Sequence, residues 1–465
     1  MDPIDVATIP NCHVVAMPSP GRGHINPMMN VCKLLSSNQD LIITFVVTEE
    51  WLGFIGSAPR PSNIRLRSIP NVIPSELIRG ADMVSFFEAV YTKMADPFDQ
   101  LLDQLDQPIS WIITSTYLTW AVEIGNRRNI PVASLWTMSA AVFSILYHND
   151  LIMSNLHLTA GDDLSERRGE LLDYIPGINS IKVRELPTLF LPKGAKSPGR
   201  GLGAVQCVSK AQCLVLTSFY ELDTHATDTL RAILPIPIYP VGPTIPYMSL
   251  QEKSLDGGDR GHVDYFNWLD SRPKGSVLYV SLGSFLPISG PQMDEFFSGL
   301  NLSGVHFLWV VRGDAGHLRE ATKINGEIGL VVQWCDQLRV LCHPSIGGFL
   351  THCGWNSTME GVFAGVPMIT FPLLFDQITN AKWIVEHWKV GIRLKNENEE
   401  ENIVKSDEIA RAVHRLMDFD GDESKELRRR ARELQESCKR AISPGGSSVA
   451  SLDALVRHVV RGRNN

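Results

Sequence analysis

The sequence has few cysteines, no long apolar run and no excess of positive charge. Its eight cysteines are scattered over 465 residues without a C-x-x-C pair, which argues against a disulfide framework or a zinc site and indicates reduced thiols in the cytoplasm. The longest apolar runs, such as Leu41–Val47, are too short to span a bilayer. The net charge of −8 argues against a nucleic acid or an anionic membrane as partner. The N-terminus, MDPIDVATIP, contains two acids and no basic residue, so we expect no secretory signal.

The chain is long for a single hydrophobic core, which makes two domains the expectation. Short apolar strands alternate with amphipathic helices in both halves, and this alternation is typical of a doubly wound parallel sheet. A stretch rich in Pro, Gly and charged residues, 244–262, is interpreted as the linker. One helix is predicted over Met83–Leu105, and Leu151–Gly203 is expected to be irregular and to line or cover a cleft. The predicted strands are His13–Met17, Leu41–Val47, Ile64–Ser68, Trp111–Thr114, Pro131–Trp136, Cys213–Thr217, Val277–Ser281, His306–Val311 and Leu330–Val332.

The most informative stretch is Trp334–Gln377. Within it an apolar strand, Ile346–Leu350, leads through a glycine turn into a segment with helical spacing. Such a turn presents free backbone N–H groups and the positive end of a helix dipole to an anion, typically a phosphate. His352 adds a donor or a positive charge there, and Asn356 and Ser357 are candidates to cap the helix or to bind a phosphate oxygen.

Other side chains of this stretch suit a nucleotide sugar. Trp334 offers an aromatic face to a base, and Glu360, one turn into the predicted helix, can accept two ribose hydroxyls. Asp376 and Gln377 follow a Pro-rich strand, where an acid beside an amide can engage the hydroxyls of a sugar ring. Each residue alone is more often a packing or capping residue, so the spacing of the whole set carries the interpretation.

The whole stretch resembles the signature box of plant family 1 UDP-glycosyltransferases. It has the family's 44-residue span and matches W-x-x-Q-x-x-x-L-x-H, H-x-G-W-N-S-x-x-E, G-V-P and D-Q. The resemblance implies an α/β GT-B fold, in which two Rossmann-like doubly wound domains face each other across a cleft. It implies an acceptor-binding domain over 1–243, a UDP-sugar-binding domain over 263–445 and a C-terminal helix, 446–465, that returns to the first domain.

The resemblance also implies the ligands and their contacts. UDP-glucose is the expected donor and co-substrate, a small lipophilic molecule is the expected acceptor, and no further cofactor is expected. We expect a cytoplasmic monomer without a nucleic-acid partner or stable membrane insertion. The implied donor contacts are Ser19, Gly21, Thr137, Ser284, Trp334, Cys335, Gln337, His352, Gly354, Trp355, Asn356, Ser357, Glu360, Asp376 and Gln377.

Several of these residues have individually predicted roles. Cys335 is expected to bind uracil through its backbone, and Thr137 to reach the primary hydroxyl of the sugar unless it only caps a helix. Trp355 and Gln377 match the pattern that the family shows with glucose donors. Asp336 replaces the family's usual Pro, which leaves the stacking and ribose contacts of the box in place.

A second motif, P-x-P-x-x-G-H-x-N-P-M, spans Pro18–Met28 and follows the first predicted strand. It matches the family's loop and predicts His24 as the general base, since an imidazole with a pKa near 6.5 suits neutral pH. Ser19 in this loop is predicted either to contact the diphosphate or to close the turn. The implied reaction is an inverting attack by the acceptor on the anomeric carbon. His352, Ser284 and the helix start after Gly354 are expected to hold the departing UDP.

One position departs from the family. The family's Asp partner of the base is replaced by Ser115, five residues before Trp120. A hydroxyl can set the tautomer of His24 but brings no charge, and loss of such a carboxylate from a serine protease costs about 10⁴-fold in rate. Three outcomes are compatible with Ser115. The acceptor, such as a phenol or a carboxylate, is acidic enough for His24 to act without a carboxylate partner, or Ser115 and Thr116 bridge a water. In the third, the protein is slow or only binds UDP-sugars.

Two further interpretations of the sequence, a dehydrogenase and a calcium site, have weaker support. A nicotinamide dehydrogenase is disfavoured because the loop Gly21–His24 lacks the third glycine of the dinucleotide fingerprint. The acidic run Asp418–Asp422 begins like a calcium loop but has Arg429 at the position of the bidentate Glu, so we expect a solvated turn and no metal. Cys342 and Cys353 are expected to be small packing residues.

Overall fold

The computed structural model describes residues 12–80, 82–157, 167–188, 198–250, 265–283, 288–311, 328–394 and 403–461. The strands are β1 Cys12–Met17, β2 Leu41–Thr48, β3 Ile64–Ile69, β4 Trp111–Ser115, β5 Val132–Trp136, β6 Leu171–Leu172, β7 Ile181–Lys182, β8 Cys213–Leu216, β9 Ile238–Pro240, β10 Val277–Ser281, β11 His306–Val310, β12 Gly329–Val332, β13 Ile346–Thr351, β14 Met368–Thr370 and β15 Gly391–Arg393.

The α-helices of the first half are α1 Arg22–Leu35, α2 Glu49–Ile55, α3 Met83–Lys93, α4 Ala95–Asp103, α5 Thr119–Arg127, α6 Ala140–Tyr147, α7 Asn149–Asn155, α8 Pro198–Gln206 and α9 Thr224–Ile233. Those of the second half are α10 Tyr265–Asp270, α11 Gly290–Leu302, α12 Gln337–Leu341, α13 Trp355–Ala364, α14 Gln377–Lys382, α15 Ser406–Met417, α16 Asp422–Ala441 and α17 Ser447–Arg461. A π-helical turn, Trp383–His387, follows α14 directly.

Two parallel sheets form the core. The first has seven strands in the order β3-β2-β1-β4-β5-β8-β9, and the second has six in the order β12-β11-β10-β13-β14-β15. All six residues of β1 and all eight of β2 are buried, because helices cover both faces of a doubly wound sheet and its strands become continuous apolar runs. The expected α/β architecture of two such sheets is confirmed. The domain boundaries at 243, 262 and 445 stay predictions.

Each sheet has one point where the strand order reverses. In the first sheet β1 lies between β2 and β4, and in the second β10 lies between β11 and β13. Loops at the carboxyl ends of the two central strands diverge there, which opens the crevice where ligands of such sheets bind. The loops after β1 and β13 carry the two motifs found in the sequence, so the topology places both motifs at crevices.

Two local predictions are wrong. The helix predicted over Met83–Leu105 is divided into α3 and α4, because Pro97 has no N–H to donate to the preceding turn. The segment Leu151–Gly203 is more ordered than expected: its described parts contain a short antiparallel pair, β6 with β7, and the helix α8.

The last helix packs against the first sheet. Leu455 and Val459 of α17 are buried in the core around β1 and β2, and the His458 ring lies 5.1 Å from the Trp111 ring, edge to face. Tyr239 Oη lies 3.1 Å from His458 Nδ1. The C-terminal helix therefore completes a core whose other members lie more than 200 residues earlier in the chain.

Two remaining features bear on the expectations from composition. Within the described ranges, none of the helices combines the length and apolar character needed to cross a bilayer. Cys353 is buried, as expected of a packing residue, but Cys342 is exposed, so the packing role predicted for it is wrong.

We expect Leu455→Ala to lower the free energy of unfolding by about 2–5 kcal/mol, because it leaves a cavity at a fully buried position. Urea unfolding followed by tryptophan fluorescence would measure the loss. Asp453→Ala on the exposed side of the same helix is the matched control and should change little. Equal stability of the two variants would contradict the packing described for α17.

Candidate active site

His24 lies in the first turn of α1, immediately after the crevice loop that follows β1. Ser115 is the last residue of the neighbouring strand β4, and Thr137 follows the next strand, β5. Because these three strands are adjacent and parallel, their carboxyl ends bring the three side chains to one edge of the sheet. The sequence-predicted base and its two hydroxyl neighbours are therefore assembled by the strand order.

Two hydroxyls face the same ring nitrogen of His24. Thr137 Oγ1 lies 3.0 Å from Nδ1 and Ser115 Oγ lies 3.5 Å from it. Ser115 Oγ also accepts a hydrogen bond of 2.9 Å from the backbone N–H of Ser19, so the loop of the base is tied to the end of β4. Thr137 is thus the nearer partner of His24, in addition to its predicted role as a sugar contact. Thr116 hydrogen-bonds Ser134 at 2.8 Å.

The surroundings of His24 disfavour its protonated form. Burial, together with repulsion from the nearby Arg79 guanidinium, lowers the pKa of His24 to about 4. The Tyr117 ring lies edge-on to the imidazole at 5.8 Å. The imidazole is therefore neutral at pH 7, as a base must be, but it accepts a proton less readily than free histidine does.

The loop before His24 needs a glycine. Gly21 has φ 127, in the region that favours glycine, and a Cβ there would lie 2.1 Å from Arg79 Nη1. Arg79 Nη1 donates to the carbonyl of Pro20 at 3.3 Å, and the guanidinium pairs with Glu76 at 3.0 Å. Gly21 thus allows a half-buried arginine to pack over the loop that carries the base.

His352 follows β13 and packs between two backbone segments. A Cβ on Gly283 would lie 2.7 Å from its Nε2, and one on Gly354 would lie 2.4 Å from the same atom. Gly283, with φ 86, belongs to the turn after β10. Burial lowers the pKa of His352 to about 4, so at neutral pH it offers a hydrogen bond rather than a charge. Ser284 lies outside the described residues.

The helix α13 begins just after His352. Gly354 is its N-cap and makes no side-chain capping bond. Of the two alternatives given for Asn356 and Ser357, capping does not occur, because both lie inside the first turn, and the phosphate contact stays a prediction. Ser357 Oγ accepts from Gln337 Nε2 at 2.9 Å, and Asn356 reaches across the cleft. The backbone N–H groups of the first turn stay available to an anion.

Residues predicted to bind uridine form one cluster. Gln337 Nε2 also donates to the Glu360 carboxylate, and Tyr279 Oη donates to Gln337 Oε1 at 3.1 Å. Burial raises the pKa of Glu360 to about 7. Trp334 is 54 % exposed, unusual for a tryptophan, and presents an open aromatic face. Cys335 is buried beside Tyr279, at 3.4 Å between Sγ and Oη.

Residues predicted to bind the sugar lie at the start of α14. Gln377 Oε1 accepts from the backbone N–H groups of Leu373 and Leu374, at 2.8 and 3.0 Å, which directs its carbonyl away from any ligand and leaves its amide as the donor. Asp376 accepts from Asn380 at 2.7 Å, and burial raises its pKa to about 6.

The two halves of the site meet across the cleft. Asn356 Nδ2 in the first turn of α13 donates to the carbonyl of Gly23, the residue before the predicted base, at 3.4 Å. Trp355 Nε1 is buried and has no acceptor within the described part of the chain, which makes it a candidate donor to a bound hydroxyl. Groups of three or more His, Cys, Asp or Glu side chains that could hold a metal ion are absent from the described ranges.

Sequence reasoning missed several neighbours of these residues. The proximity of Thr137 to His24 follows from the adjacency of β4 and β5, which the parallel-sheet prediction could have suggested. Tyr117 and Arg79 carried no spacing signal, because one follows a strand end and the other lies in a loop.

Comparison with known proteins agrees with this geometry. Residues 262–424 match the family model described as UDP-glucoronosyl and UDP-glucosyl transferase. The chain is 48 % identical to UDP-glycosyltransferase 87A2 of Arabidopsis thaliana over 461 residues, which is 99 % of both chains. The chain belongs to the UDP-glycosyltransferase family. It is accordingly a glycosyltransferase that moves a sugar from a UDP-sugar to a small acceptor, and the reading as a binding protein without turnover finds no support in these relatives.

Solved structures confirm the GT-B fold. The chain is similar to Phytolacca americana UGT2 complexed with UDP-2fluoro-glucose and pterostilbene, with 30 % identity, a TM-score of 0.79 and coverage of 96 % of this chain and 98 % of that chain. It is also similar to Medicago truncatula UGT71G1 complexed with UDP-glucose, with 26 % identity, a TM-score of 0.81 and coverage of 97 % and 98 %. The roles assigned above to single residues stay predictions.

We expect Glu360→Gln to weaken UDP binding about tenfold or more, because a carboxylate that accepts two ribose hydroxyls is replaced by a single neutral acceptor. Isothermal titration with UDP would measure it, with Glu433→Gln on an exposed helix surface as control. The loss of affinity caused by Glu360→Gln should be smaller for 2′-deoxy-UDP, which lacks one of the two ribose hydroxyls. An equal loss with both nucleotides would contradict the ribose contact.

Proposed function

We propose that this glycosyltransferase transfers glucose from UDP-glucose, with inversion, to a phenolic, flavonoid or terpenoid hydroxyl or to a carboxylate of a small lipophilic acceptor, giving a β-glucoside. His24 takes the acceptor proton, the acceptor oxygen bonds to the anomeric carbon, and the bond from that carbon to UDP breaks on the opposite face. One displacement of this kind converts an α-linked donor into a β-linked product.

The observation that carries the proposal is the opposition of His24 and α13 across one cleft. Asn356 in the first turn of α13 contacts the carbonyl of Gly23, the residue before His24. A sugar bound between the imidazole and the helix start would therefore have its diphosphate on the side away from the imidazole. Such an arrangement is what in-line displacement needs. The helix dipole, its free N–H groups and His352 would stabilise the charge that develops on UDP.

The donor side chains support glucose. Asp376 and the amide of Gln377 offer an acceptor and a donor to neighbouring hydroxyls of a hexose, and Trp355 Nε1 is a further buried donor. The Medicago relative was solved with UDP-glucose and the Phytolacca relative with UDP-2fluoro-glucose and pterostilbene. These neighbours support a glucose donor and a phenolic acceptor for this chain.

The environment of His24 favours acidic acceptors. Thr137 and Ser115 face Nδ1. When Nδ1 donates its proton to one of these hydroxyls, Nε2 is the ring nitrogen that accepts the proton of the acceptor. Neither hydroxyl offers the charge of a carboxylate, and the pKa of about 4 makes the imidazole a weak base. A phenol with a pKa of about 10, or a carboxylic acid, loses its proton to such a base far more readily than an alkanol does.

Purified protein with UDP-glucose and a panel of phenols, carboxylic acids and alkanols should form glucosides of the first two classes fastest. His24→Ala should lower kcat by about 10²–10⁴-fold, the usual contribution of a general base, while UDP affinity stays unchanged. His225→Ala on an exposed helix surface is the control. Full activity of His24→Ala would remove the proposed base.

Ser115→Asp tests whether the missing carboxylate limits the rate. A carboxylate at this buried position could accept the N–H of His24 and stabilise the imidazolium, while it still accepts the N–H of Ser19. A large gain in kcat with alkanol acceptors would show that the natural enzyme works with an impaired pair. Loss or no change would show that Ser115 belongs to a different working arrangement with Thr137.

We expect kcat/KM to fall at low pH only near pH 4–5. Since the pKa of His24 is lowered to about 4, the imidazole of the free enzyme is neutral above that pH and is lost as a base only below it. A pH profile of kcat/KM, with circular dichroism at each pH to confirm folding, would test this. A fall of kcat/KM that already begins at pH 6.5 or above would show that burial and Arg79 do not lower the pKa of His24 as described.

A further inference from the structure

The turn before Asp376 and Gln377 has an unusual backbone. Phe375 has φ 59, a left-handed conformation that is strained for a bulky aromatic residue. Such a residue persists only where its surroundings determine it, and strain of this kind clusters where side chains must be presented in one orientation. The two residues that follow are the predicted sugar contacts.

The partner of this turn lies in the first half of the chain. Thr188 Oγ1 accepts from the Phe375 N–H at 2.7 Å, and the Thr188 N–H donates to the Phe375 carbonyl at 3.0 Å. Thr188 is buried, with 7 % of its surface exposed. Both backbone groups of the left-handed residue are thus bound by one residue from across the cleft, which fixes the peptide planes on either side of Phe375.

Neighbouring contacts hold the same two segments together. Thr379 Oγ1 donates to the Glu185 carbonyl at 2.8 Å. Lys382 Nζ lies 3.0 Å from Glu185 Oε2, with 6 % and 1 % of the two side chains exposed. Trp383 of the π-helical turn is buried in the core around α6 and β8 of the first half. Thr188 is therefore anchored, and so is the helix that begins at Gln377.

We propose that Thr188 is a positioning residue for recognition of the donor sugar. By fixing Phe375 in its left-handed conformation, Thr188 orients Asp376 and Gln377. A residue of the acceptor-binding half thereby controls the contacts of these two side chains with the donor sugar. The inference rests on the proposed function in one respect, namely that these two side chains bind the hexose of UDP-glucose. The hydrogen bonds described for Gln337 go to Tyr279, Ser357 and Glu360 and not to this turn.

Thr188→Val tests the inference, because valine keeps the shape and the backbone N–H but removes the acceptor of the Phe375 N–H. Binding of UDP-glucose, measured by titration without acceptor, should weaken about tenfold, because the Phe375 N–H loses its hydrogen bond to Thr188 and the turn loses its fixed orientation. UDP affinity should stay within twofold of the wild type. Thr188→Ser retains the hydroxyl and should behave as the wild type does.

A second variant distinguishes an effect on the conformation of Phe375 from a general loss of structure. Glycine adopts φ 59 without strain, so Phe375→Gly added to Thr188→Val should recover part of the UDP-glucose affinity. Thermal unfolding of each variant checks that it is folded.

The outcomes distinguish this inference from the proposed function. Selective weakening of UDP-glucose by Thr188→Val, with rescue by Phe375→Gly, supports it. Equal binding of UDP-glucose by the Val and Ser variants, or equal weakening of UDP and UDP-glucose, overturns it while the wild-type enzyme still makes glucosides. Wild-type protein that neither discriminates UDP-glucose from UDP nor forms glucosides would overturn the proposed function and this inference with it.

Discussion

Two helix starts that face each other across one cleft are the arrangement on which the rest of this molecule depends. One is the first turn of α1 with His24, and the other is the first turn of α13 with Asn356, in contact through Gly23. Both follow strands at the reversal points of their sheets. Helix dipoles pointing inward from two sides make the cleft attractive to anions. Burial at this cleft and the nearby Arg79 guanidinium both disfavour a positive charge on His24.

These surroundings explain why the substitution of a carboxylate by Ser115 has consequences beyond one hydrogen bond. A buried Asp would stabilise the imidazolium and raise the pKa of His24, whereas two hydroxyls only orient the ring. Orientation and basicity are separable contributions to proton transfer. In the proposed mechanism Thr137, at 3.0 Å from Nδ1, orients the imidazole, and the acidity of the acceptor compensates for the low basicity of the imidazole.

Most of the fold could be predicted from the sequence, and so could the clustering of the residues around Gln337 that are predicted to bind the donor. Strands such as β1 and β2 are buried along their whole length, so composition alone distinguishes them, and the contacts around Gln337 and Glu360 lie within one short stretch of chain. The break at Pro97 and the order in the region around β6 and β7 were missed, because short polar segments carry weak periodicity. The pairing of Thr188 with Phe375 was beyond prediction: it joins residues 187 positions apart, and neither the threonine nor the left-handed phenylalanine leaves a local signal.

The return of α17 to the first sheet has a consequence for folding. The polypeptide leaves the first sheet after β9 and returns to it with α17. The outward crossing follows Pro243, where Ile245 already joins the second core, and the inward crossing precedes Ser447, whose hydroxyl binds Glu221 at 2.8 Å. Leu455 and Val459 lie in the core around β1 and β2, so the first sheet cannot complete its apolar packing until the chain has been made as far as α17.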